Sequence, residues 1–135
     1  MNAFDLDTLR ISLHILAACV WVGGQIVLAA LVPVLRQISP DAPRQAANRF
    51  GRVAWPFFAL AVVTGIWNLL EIDVGDRSTE YHVTLGVKLL VVAIAGTAAA
   101  VHSLTPSVPV RAITGALGLI GSLAALVLGV MLVSG

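Results

Sequence analysis

From Leu9 to Leu35 the chain reads LRISLHILAACVWVGGQIVLAALVPVL, about 27 residues in which Arg10, His14 and Gln25 are the only strongly polar members. A helix of that length crosses a bilayer. On it, Arg10, His14, Ala18, Trp21 and Gln25 follow one another at steps of four, four, three and four and form one stripe. A polar atom left unpaired in hydrocarbon costs several kcal/mol, so a helix like this turns its ionisable groups toward other helices rather than lipid. His14 is therefore the first candidate for function.

Three more apolar runs follow, and together they predict an all-α, integral membrane four-helix bundle forming a single transmembrane domain. The expected helices cover about 9–35, 53–70, 81–104 and 110–133. Composition agrees: 59% of the 135 residues are hydrophobic and 11% charged, with a mean hydropathy of +0.97, whereas a soluble domain carries about 25% charged residues. A net charge of +1 gives no reason to expect nucleic acid. The single cysteine, Cys19, excludes an intrachain disulfide or a thiolate metal cluster. The leading MNAFDLDTLR places two acids before its arginine, the reverse of a secretory leader, so the first helix is expected to be retained.

The connectors set an orientation. RQISPDAPRQAANRFGR carries Arg36, Arg44, Arg49 and Arg52, with Pro40 and Pro43 as breakers, and Arg111 follows the TPSVP connector. The N-terminus and the acidic EIDVGDRSTE contribute one arginine each, Arg10 and Arg77. The positive-inside rule then puts both termini outside, in a bacterial cytoplasmic membrane crossed four times. Pro56 is expected in the first turn of the second helix, with Trp55 and Trp67 near its two ends as interfacial anchors.

By helical rise His14 lies about 7 Å below the outer surface and Lys88 about 10 Å below it, so the two can share one cavity in the outer half of the bilayer. His82 matches His14 in depth but points away from Lys88, and His102 falls about 21 Å beyond Lys88, near the cytoplasmic face. Lys88 either snorkels toward Glu71 or Glu80 or faces inward to neutralise an anion such as a porphyrin propionate, a quinone oxygen or a carboxylate. His14 is either satisfied by a backbone carbonyl or Asn68, or is a neutral imidazole available to haem iron or copper. Ala17, Ala18, Gly23 and Gly24 leave room beside it for a flat ligand. Candidate cofactor-binding residues are His14, Lys88, His82 and Trp21; candidate metal ligands are His14 and His82, with His102 behind them as a residue at the membrane edge. Met1 and Met131 are the only methionines, which counts against a dedicated Cu(I) conduit. In the fourth run Gly121, Ala125 and Gly129 recur every four residues, a spacing that serves either packing within the bundle or a homodimer face.

HILAACVWVGGQIVLAALVPVLR, VVTGIWNL and LGVKLLVVAIAGTAAAVH resemble the membrane domain of the bacterial copper resistance protein D family and, less closely, the HemJ-type protoporphyrinogen oxidases. The resemblance rests on a histidine followed seven residues later by tryptophan and glycine, a Thr-Gly pair in the second run and a Val-Lys-Leu-Leu in the third. It implies a four-helix membrane unit with copper import or haem binding as family functions, and it maps the functional histidine and lysine of the HemJ-like branch onto His14 and Lys88. The leading expectation is a redox-active group, b-type haem, held by His14 in the outer half of the bundle. Copper handling through His14 and His82 is the alternative. A third reading is an accessory subunit that docks into a larger membrane complex through the fourth helix.

Overall fold

The computed structural model describes residues 3–135, is 89% helical and has no strand among the described residues. Five α-helices, α1 Leu6–Ala18, α2 Gly24–Ile38, α3 Ala42–Leu70, α4 Thr79–Leu104 and α5 Val108–Ser134, make four membrane-length spans, because α1 and α2 run on through a π-helical turn at Cys19–Gly23. All four spans are long and apolar enough to cross a bilayer. The chain is a multi-pass membrane protein, and its exposed leucines, valines and isoleucines meet lipid acyl chains.

The chain divides into two compact units, the first ending at Asp73 and the second beginning at Val74. Each is a helical hairpin. In the first, α1 and α2 pack on α3. Asp5 caps α1 by accepting from the backbone N–H and the hydroxyl of Thr8, both at 2.8 Å, and these bonds hold its carboxyl below the ordinary value of 3.8. Ser39 precedes Pro40, takes the extended conformation (φ −162°, ψ 146°) that proline imposes on its predecessor, and ends α2.

The sequence pattern places the next helix at Val53, but α3 starts at Ala42. Pro43 stands at the first helical positions, where proline favours a helix instead of breaking it, and Ala42, Ala46 and Ala47 have high helix propensity. The Gln45 side chain donates to Asp41 Oδ2 at 2.9 Å. Pro56 consequently lies in the helix interior. Trp55 packs on Trp21 and Phe58, and Trp67, near the C-terminal end of α3, donates to Glu71 Oε1 at 3.2 Å.

In the second unit α4 and α5 pair antiparallel with small residues between them: Ala95 of α4 lies against Gly121 of α5. Apolar side chains gain little by leaving lipid for a helix interface, so close backbone approach and van der Waals contact hold such hairpins. A Cβ on Gly121 would stand 3.1 Å from that of Ala95. Ser78 and Ser107 cap the two helices by accepting from the N–H groups of Tyr81 and Val110.

Candidate functional site

His14 lies where α1 crosses α3. Its Nδ1 is 2.9 Å from Thr64 Oγ1, and Thr64, 2% exposed, has its oxygen 2.6 Å from the Leu60 carbonyl and 3.2 Å from that of Ala61. Carbonyls only accept, so the Thr64 hydroxyl donates to Leu60 and its lone pair accepts from His14 Nδ1–H. This fixes the tautomer and leaves the basic lone pair of the imidazole on Nε2. Gly65 completes the fit, since a Cβ there would stand 3.3 Å from His14 Cε1. Thr64 and Gly65 are the Thr-Gly pair of the second apolar run, while the partners expected for the ring were a backbone carbonyl or Asn68.

One turn further along, the helix widens. The π-helical turn at Cys19–Gly23 carries Trp21, 8% exposed, whose ring centroid lies 5.2 Å from that of Trp55 and 4.6 Å from that of Phe58. Gln25 Nε2 donates to the Trp21 carbonyl at 3.0 Å, so a side chain serves a backbone oxygen within the widened turn. The regular stripe read from the sequence is thus interrupted between His14 and Gln25. Nothing lies within 4 Å of a Cβ placed on Gly23, but the space beside Gly24 is filled by the Phe50 ring. The room expected at the paired glycines exists at Gly23 alone.

The second hairpin holds the other candidates. Lys88 reaches across to α5, with its Nζ 3.0 Å from where a Gly129 Cβ would stand, and it forms no ion pair among the described residues. His102, two heptads along α4, meets Gly115 and donates from Nδ1 to the Arg111 carbonyl at 2.7 Å, while Arg111 Nη2 donates to the Thr105 carbonyl. These bonds stitch the α4–α5 turn, so His102 has a structural task. His82, exposed near the start of α4, donates from Nε2 to the Val74 carbonyl at 2.7 Å and holds the 3₁₀ turn Val74–Asp76. The first hairpin brings His14 and Trp21 to one seam; the second brings Lys88 and His102 to its own and leaves His82 at its mouth.

Gly121 and Gly129 both face α4, so this part of the small-residue stripe is used inside the hairpin. Two residues that the sequence did not mark as site residues stand out in burial. Arg10 is 7% exposed, and among the described residues its Nε and Nη1 have no hydrogen-bond partner; Asn68 Oδ1 is also buried without one there. Arg10 was visible as the first member of the helix-one stripe. Among the described residues no group of three or more His, Cys, Asp or Glu gathers as a metal site. No family model matches the chain, and neither curated proteins nor solved structures give a match.

Proposed function

We propose that this membrane protein binds b-type haem through His14 Nε2. The observation that carries the reading is the Thr64 bond to Nδ1, which orients the ring and assigns the lone pair to Nε2. Histidines that ligate metals donate their other ring N–H to a fixed acceptor in the same way. Gly65 lets the His14 ring lie close against α3, since a Cβ there would stand 3.3 Å from Cε1. His14 would hold the haem, which would supply one-electron chemistry. The resemblance of the first three apolar runs to the copper resistance protein D and HemJ-type families also favours a metal or porphyrin role. Copper held by His14 and His82 has less support, because His82 already spends Nε2 on the Val74 carbonyl. Lys88 has no part in what supports the haem reading; its ammonium lies in the other hairpin, against Gly129.

The test is the visible spectrum of protein purified in mild detergent from haem-replete bacteria, before and after dithionite, with iron and copper content measured in parallel. A Soret band that shifts on reduction and is lost in a helical His14→Ala variant is the expected result. Colourless wild-type protein overturns the haem reading, and copper without haem replaces it with metal handling.

A further inference from the structure

A second polar layer lies one turn from His14 in the first hairpin. Because His14 pairs with Thr64 across antiparallel helices, four residues back along α1 and four forward along α3 reach one level, that of Arg10 and Asn68. Arg10 Nη2 donates to Asp7 Oδ1 at 3.0 Å, but that carboxylate is 68% exposed and meets only this one nitrogen. Nε and Nη1, which carry three of the five guanidinium N–H groups, are shut off from solvent with no acceptor among the described residues. At the same level Asn68 Oδ1 is an acceptor shut off with no donor among the described residues. Buried polar groups in folded proteins are almost always paired, and a charged donor left unpaired is costlier than a neutral one. One group can serve both: it would offer an anionic oxygen to Arg10 and an O–H or N–H to Asn68.

Position says where such a partner comes from. Arg10 is four residues into α1 from Leu6, about 6 Å by helical rise, at the end of a membrane span where arginines meet lipid headgroups. We propose that Arg10 and Asn68 bind the headgroup of a phosphoglycerol or phosphoethanolamine lipid, with the phosphate oxygens on Arg10 and the headgroup hydroxyl or ammonium on Asn68. Occupancy requires the guanidinium to swing on its flexible stem, because both nitrogens are covered. A phosphocholine headgroup offers the same phosphate and no N–H or O–H, so it satisfies Arg10 but not Asn68. This proposal is independent of haem at His14.

The test is native mass spectrometry of the full chain in detergent with added phosphatidylglycerol, phosphatidylethanolamine or phosphatidylcholine of identical acyl chains. Wild type is expected to retain the first two about tenfold better than the third, one hydrogen bond's worth. Asn68→Leu should erase that preference, Arg10→Gln should lower retention of all three lipids about tenfold, and Arg10→Lys should restore part of it. Equal retention of the three lipids by wild type, or Arg10→Gln behaving as wild type, overturns the proposal. Millimolar inorganic phosphate displacing phosphatidylglycerol overturns the lipid assignment in favour of a soluble anion. Should Arg10→Gln not fold, the headgroup preference and its loss in Asn68→Leu decide alone.

Discussion

The Thr64 oxygen is used twice, donating to the Leu60 carbonyl of its own helix and accepting from His14 of the neighbouring one. A valine in its place keeps the shape and removes both bonds. Helix α3 tolerates that, because the Leu60 carbonyl sits within the backbone ladder, but the His14 Nδ1–H then loses its acceptor in a water-poor seam. Thr64→Val is therefore expected to cost about 1–3 kcal/mol of stability, the usual penalty for a stranded buried polar group. It should also weaken a metal-bound ligand roughly tenfold, as loss of an outer-shell partner does. Chemical denaturation of the detergent-solubilised protein checks the first effect and haem titration the second. Thr64→Ser keeps the hydroxyl and should stay close to wild type in both. Unchanged stability in Thr64→Val would mean that the His14 ring is held by other contacts.

In the second hairpin two bulky polar residues of α4 meet glycines of α5: Lys88 meets Gly129, and His102 meets Gly115. Between them Ala95 lies on Gly121, where the backbones come close. Gly121→Leu must push α4 and α5 apart, and overpacking of this kind costs about 1–3 kcal/mol. Gly86 offers a control on α4, since nothing lies within 4 Å of a Cβ placed there; Gly86→Leu should be tolerated. Unfolding midpoints of the two variants, measured side by side, test the contrast. That the run after Val110 packs through small residues is readable from their spacing, whereas their partners on α4 are not, because spacing fixes a face and leaves its neighbour open. The extra turns at the start of α3 were hidden by Pro43, which reads as a breaker until its position at the helix start is known. The π-helical turn at Cys19–Gly23 has no signature in the sequence.

Membrane class is legible because few soluble folds tolerate four long apolar runs, and His14 is legible because a histidine in such a run is expensive. Arg10 was harder to read: an arginine near a span's end ordinarily snorkels to water, and only its burial exposes the missing partners. Orientation follows from a different property, the side on which basic residues accumulate. If each of the four spans crosses once, both termini are expected on one side of the membrane. Arg36, Arg44, Arg49, Arg52 and Arg111 flank the two turns at the opposite side, against Arg10 and Arg77 on the terminal side. Translocating basic flanks against the membrane potential is unfavourable, so the arginine-rich turns are expected to stay in the cytoplasm. In a Cys19→Ser background, Ala3→Cys and Gly75→Cys should react with an impermeant maleimide on intact cells, and Asp41→Cys and Pro106→Cys only after permeabilisation. The reverse pattern would put five arginines outside and turn the Arg10–Asn68 layer toward the cytoplasmic leaflet, so the lipids available to that site would be those of the inner surface.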